Sequence, residues 1–222
     1  ASPGFDGAWS GAGTVASAGL TYSSGATAGV LGYEGGVSYG GGTSTRNLLP
    51  SDTMAAATNL WFRLLMKPGT EAAPYGEFFF FRTVAGTRLN SISPRWAPGL
   101  QNGMTDKFQL MLTDWSNTRY WYLLGTNSGG AHLVVLNVLR DANNGTNETV
   151  KAWFNPTAPL SDGNTTLVIS DKDFLPSGAQ YVQIFADYTA AANSAFDEIG
   201  IATNAAQLGL VVSTDIVPPS IK

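Results

Sequence analysis

At 222 residues, with no cysteine, a net charge of −4 and a pI near 4.8, the chain is long enough for one large β-domain, and disulfides, thiolate metal sites and cysteine nucleophiles are excluded. Its 12 basic residues are scattered singly, which argues against nucleic acid; no apolar run approaches the roughly 18 residues of a membrane span, and no basic amphipathic segment suggests a membrane surface. Charged residues are only 13% of the chain while glycine contributes 26 positions, so small polar residues must supply most of the surface, which suits neutral partners better than ionic ones.

The first fifty residues are glycine-rich, with apolar pulses at 20–22, 30–33, 37–39 and 45–49 that read as short strands separated by turns. Gly35, Gly36 and the run 40–42 lack the following helix and the Lys-Ser/Thr pair of a phosphate loop, so they read as tight turns. From 59 to 67, Leu60, Phe62, Leu64 and Met66 alternate with Trp61, Arg63, Leu65 and Lys67, giving one apolar and one amphipathic face on a long strand. The four phenylalanines at 78–81 predict a strand buried on both faces, and further strands are expected at 88–92, 108–112 and 120–124. The stretch 132–139 is apolar on both parities except at Asn137, the pattern of a central strand.

A polar turn at 141–148 then leads into a strand at 149–155 that Pro156 ends. The turn carries calcium-loop residue types, but its spacing misses the helix-loop-helix signature and turn chemistry accounts for it. Strands follow at 167–170 and 181–188, with a short helical turn expected at 171–175 before Pro176. A late strand over 194–203 puts Ile199 and Ile201 on one face with Asp197 at the head of that row, and Phe196, Glu198 and Gly200 on the other. The sequons at Asn144, Asn147 and Asn164 read as chance in a chain rich in Thr and Asn.

With these elements placed, the chain resembles the concanavalin A-like, laminin-G-type jelly-roll modules of bacterial secreted and surface proteins. The matching stretches are GFDGAWSG at 4–11, GLTY at 19–22, RNL at 46–48, LWFRLLM at 60–66, HLVV at 132–135, VKAWFNP at 150–156 and FDEIGI at 196–201. The resemblance implies an all-β, two-sheet antiparallel jelly-roll over 1–208, an extracellular or cell-surface location, and a C-terminal tail at 209–222. Members usually carry one more strand ahead of the stretch at 4–11. Its lack here implies an open edge beside the strand containing Phe196 to Ile201, and an open edge is a template for another strand. The resemblance also implies a structural Ca²⁺ held by Asp197 and Asp6, against which stands the simpler reading that Asp197 accepts backbone hydrogen bonds.

Glycoside hydrolysis needs two acids facing one bond, yet the five glutamates (positions 34, 71, 77, 148 and 198) share no strand face with a second acid, so no catalytic residue is expected. A polysaccharide-active enzyme is the third reading. The single His132 begins an apolar strand, where a structural role is expected before a catalytic one. A glycan-binding module for neutral polysaccharide is the second reading, with Trp96, Trp115 and Tyr120 in loops as stacking platforms, or as caps on the ends of the sandwich. Trp61 and Trp153 pack beneath the cations of their own strand faces.

The first reading is a structural, self-associating and filament-forming subunit. Leu210, Val211, Val212, Ile216 and Val217 make a β-branched run, ended by Pro218 and Pro219, that suits strand donation. Its acceptor is either the chain's own open edge or that of a neighbouring copy.

Overall fold

Period-two alternation without any helix-length apolar run becomes fourteen strands among the described residues. The computed structural model describes residues 5–11, 14–15, 19–31, 37–39, 42–48, 58–67, 76–82, 91–96, 107–113, 118–126, 128–140, 148–172, 181–186 and 194–214, with side chains for 19–31, 58–67, 107–112, 118–126, 128–140, 148–170 and 197–214. In chain order the strands are β1 (Phe5–Gly11), β2 (Thr14–Val15), β3 (Val37–Tyr39), β4 (Gly42–Leu48), β5 (Asn59–Lys67), β6 (Gly76–Arg82) and β7 (Ser91–Trp96). They continue as β8 (Lys107–Thr113), β9 (Arg119–Thr126), β10 (His132–Arg140), β11 (Glu148–Phe154), β12 (Leu167–Lys172), β13 (Tyr181–Ala186) and β14 (Ser194–Ala202), with short 3₁₀ turns at Asp162–Asn164 and Ala205–Leu208.

Two seven-stranded antiparallel sheets result. Sheet one runs β1-β4-β13-β6-β7-β8-β9 and sheet two runs β12-β11-β10-β5-β14-β3-β2. Between them lies a core of Leu60, Phe62, Leu64 and Met66 from β5, Phe108, Leu110 and Leu112 from β8, Val134, Leu136 and Val138 from β10, and Val150 and Ala152 from β11. The expected apolar rows therefore meet as a sandwich.

Sheet two is covered on its other face as well. Trp61, Leu65, Leu133, Val135 and Trp153 pack there against Ala26, Leu31, Leu160, Ala205, Leu208 and Leu210, contributed by segments 19–31, 155–166 and 203–213. This second layer is why β10 is apolar on both parities. It also changes the role of the tryptophans: Trp61 and Trp153 stack at 5.8 Å with an 18° interplanar angle beneath a layer of chain, and Trp153 is fully buried.

Several expectations are corrected. In place of strands at 20–22 and 30–31, Tyr22 and Leu31 meet in an isolated bridge; residues 32 and 33 lie outside the described residues. Asp171 and Lys172 extend β12 instead of starting a helical turn, and the strand expected at 88–92 is β7, six residues ending at Trp96. The edge expected open beside Phe196 to Ile201 is occupied at its start, where β3 pairs with Ser194, Ala195 and Phe196 and β2 pairs with β3; that ladder ends at Phe196.

The tail departs from expectation too. Val211 N–H donates to Ala26 O, Leu160 N–H to Val211 O and Ser213 N–H to Leu160 O, so residues 210–213 lie on their own domain's cover, with Leu210 and Val212 in isolated bridges. Val211 lies between them, and Ile216 and Val217 lie outside the described residues.

Candidate functional site

A β-bulge in β14 rearranges the late strand. Phe196 faces Met66 and Asp197 faces Leu65, but Gly200 faces Arg63 and Ile201 faces Phe62, so one residue is inserted between the two registers. Asp197 therefore shares the outer face with Leu65 and Arg63 and does not head the row of Ile199 and Ile201. Glu198 takes the left-handed conformation at φ 51°.

Arg63 holds this bulge. Its Nε donates to Glu198 O at 3.0 Å, one terminal nitrogen donates to Leu208 O, and the other pairs with the Glu198 carboxylate. Burial pushes the guanidinium pKa down, and the Glu198 and Asp197 carboxylates pull it back up. Asp197 accepts the Leu20 N–H on Oδ2 at 2.8 Å and the Glu198 N–H on Oδ1 at 2.7 Å. Burial raises its pKa, partly offset by these two amides. The cluster thus fastens the cover at 19–31 and at 203–210 to sheet two. Asp197 contributes backbone anchoring, and Asp6 lies on β1 of the other sheet, opposite Asn47. Among the described residues no group of three or more acidic, His or Cys side chains could hold a metal.

His132 is fully buried between Phe108, at 4.6 Å between ring centroids, and Phe154, at 5.1 Å and 12°. Asn155, at φ 49°, ends β11: its Oδ1 accepts the Leu133 N–H at 2.9 Å, which turns its Nδ2 toward His132 Nδ1 at 2.8 Å. The Ser128 N–H approaches the other ring nitrogen, Nε2, at 3.4 Å, so both nitrogens of the imidazole face N–H groups. Burial lowers the His132 pKa. This is an apolar joint between the two sheets, with the imidazole neutral. The Asn164 amide is likewise engaged, with Nδ2 donating to Pro159 O at 2.9 Å and Oδ1 accepting from Trp153 Nε1 at 3.0 Å.

The opposite surface, the outer face of sheet one, is set by register. Glu77 lies opposite Arg95, Arg95 opposite Gln109, and Gln109 opposite Leu123, giving one row across β6 to β9. In the next row Ser93 lies opposite Met111 and Met111 opposite Trp121. These residues alternate with Phe108, Leu110 and Leu112 of the inter-sheet core, so they belong to the other face. Gln109 and Met111 are buried in its floor, Trp121 is half-buried, and Leu123 is 48% exposed on edge strand β9.

The expected platforms fall differently. Tyr120 packs against the inter-sheet core, one residue away from the outward Trp121. Trp96 is not in a loop but at the end of β7, opposite the core residue Phe108, and Trp115 lies outside the described residues. Pro94 within β7, opposite Leu110, is what made this strand read as a loop. Trp121 was within reach of the sequence, since strict alternation in β9 makes either Tyr120 or Trp121 face outward, but parity alone does not say which.

No family model matches the chain, and no curated protein matches it. Solved structures do share its architecture. The binding domain of botulinum neurotoxin DC in complex with SialylT is 9% identical over 93% of this chain and 46% of that chain, with a TM-score of 0.53. A botulinum neurotoxin type C structure, from a toxin whose uptake by cells depends on interaction with two ganglioside molecules, is 11% identical over 93% and 46%, with a TM-score of 0.51. A carbohydrate-binding module of Bacillus subtilis is 13% identical over 90% and 96%, with a TM-score of 0.44. The chain spans about half the length of the toxin domains. The likeness to the toxin domains bears on the fold alone, a two-sheet antiparallel β-sandwich of jelly-roll type. Among the described residues no helix is long and apolar enough to cross a membrane.

Proposed function

We propose that the chain is a non-catalytic glycan-binding module of the laminin-G type, working outside the cell, with the outer face of sheet one as its binding surface and Trp121 as its stacking platform. One observation carries this reading: among the described residues, the outer face of sheet two is covered by its own chain at β5, β10 and β11, whereas the outer face of sheet one carries a half-buried Trp121 and an exposed Leu123 on edge strand β9. An indole fixed on a strand presents a rigid apolar ring face with a polar edge, which suits a sugar ring. The toxin binding domains of the same fold, one of them in complex with SialylT, add support.

Self-association by strand donation finds less support, because β3 fills the edge beside Phe196 and residues 210–213 are bonded to their own domain. The test is a glycan array together with a polysaccharide turnover panel. Saturable binding without turnover is expected, and turnover or an array without any signal would sink the proposal.

A further inference from the structure

We infer that the glycan held on this face is an anionic polymer, a carboxylated polysaccharide, and that Arg95, Lys107 and Arg119 select it. This rests on the glycan-binding reading above and refines it. The chain as a whole carries 16 acidic and 12 basic residues, yet β7, β8 and β9 together contain these three cations and no Asp or Glu. Within these three strands the balance of charge is therefore positive, against a chain that is acidic as a whole.

Register places all three on the outer face. Lys107, Gln109, Met111 and Thr113 are alternate residues of β8; Arg95 lies opposite Gln109, and Arg119 opposite Thr113. Arg119 is exposed, and Lys107 donates from Nζ to Thr126 Oγ1 at 2.7 Å, which aims its ammonium toward the β9 edge. Trp121 stands on β9 between the two ends, opposite Met111. From Lys107 to Thr113 is six steps of about 3.4 Å, roughly 20 Å along the strand, which is room for several sugar rings of a polymer.

On the neighbouring strand β6, Glu77 takes the ladder position opposite Arg95. A neutral sugar needs none of the three cations. Guanidinium forks match carboxylates in a bidentate way, and cations around an aromatic platform give a ligand whose charge and ring face are read together. Single-stranded nucleic acid is the other polyanion that stacks on aromatics. It is set aside because, among the described side chains of β8 and β9, Trp121 is the one aromatic on the outer face, Phe108, Tyr120 and Tyr122 being turned to the inter-sheet core.

The test measures electrophoretic retardation of the intact chain in polygalacturonate, alginate and hyaluronan, against carboxyl-reduced polygalacturonate and a single-stranded oligonucleotide. Binding to at least one carboxylated polymer is expected, with little to the reduced form. It should be lost near 1 M salt, where the screening length is about 3 Å. Lys107→Gln and Arg119→Gln should each weaken it by roughly fivefold, as for exposed ion pairs, with unchanged circular dichroism. Equal binding of the reduced polymer, or unchanged affinity in the Arg95→Gln, Lys107→Gln, Arg119→Gln triple variant, would overturn the anionic inference and leave glycan binding standing. Equal retention by the oligonucleotide would overturn it as well, and no retention by any polysaccharide would overturn both.

Discussion

Single residues set two tight joints among the described residues. A Cβ on Gly125 would stand 2.3 and 2.4 Å from the ring carbons of Phe154, which itself stacks on His132, so no side chain fits there without moving the joint between the sheets. Gly125→Ala is expected to cost about 1–3 kcal/mol, the usual range for overpacking. In a chain of this size that lowers Tm by roughly 2–4 °C per kcal/mol, which calorimetry reads directly.

Arg63 is the other joint. Arg63→Ala would leave the Glu198 carboxylate and two carbonyls without their donor around a left-handed bulge, at a cost of about 3 kcal/mol in a urea titration. A loss below about 1 kcal/mol would mean that the bulge holds without Arg63.

His132 gives a pH dependence with a defined sign. Its ordinary pKa of 6.5 is lowered by burial in the fold, so the unfolded chain takes up the proton first. Stability is full above pH 6.5 and falls as the pH drops from 6.5 toward the lowered value. Asp197 acts in the opposite direction, since its pKa is raised from 3.8 by burial, and protonation there favours the fold in a window just above 3.8. Denaturation midpoints measured from pH 8 to pH 5 should decline for the native chain and stay flatter for His132→Leu. Equal slopes would contradict the assignment.

At the scale of elements, alternation in the sequence was enough to place β5, β8, β9, β10, β11, β13 and β14, because each carries an apolar row that only one register can bury. What was not legible came from features that break the period. The single extra residue at Glu198 moves Asp197 to the other face, and Pro94 disguises the middle of a strand. In β9, Tyr120 and Trp121 are equally aromatic, so the choice of platform depended on a pairing with β8 that the sequence does not display.

The outer cover was hidden for a different reason. Its segments are held by bridges and single hydrogen bonds between stretches distant in the chain, such as Leu160 with Val212 and Ala26 with Val211, with no local pattern of their own. This makes the tail testable as an element. Truncation after residue 208 would remove the buried Leu210 and the backbone bonds of Val211 and Ser213, so marked destabilisation is expected by thermal denaturation. Truncation after residue 214 should leave those bonds in place and cost much less. Equal stability of the two truncated chains would contradict the cover.

The whole molecule divides its faces by task. Sheet two is closed within and without, by the inter-sheet core and by the layer over Trp61 and Trp153, so it acts as the rigid support. Sheet one turns one side to that core, and its other side carries the surface proposed for recognition, on strands held in place by the sandwich rather than on loops. Binding and stability should therefore be separable by parity on β9, where adjacent aromatics face opposite ways.

The measurement that tests this most directly is a binding isotherm on the polysaccharide that the native chain retains, for Trp121→Ala and Tyr120→Leu, each with its melting curve. Trp121→Ala should lose affinity by tenfold or more, about 1.4 kcal/mol, within the range for one stacked aromatic, with little change in Tm. Tyr120→Leu should lower Tm and leave affinity within about threefold of the native chain. Unchanged affinity in Trp121→Ala, or loss of affinity in Tyr120→Leu alone, would contradict the placement of the binding surface on the outer face of sheet one.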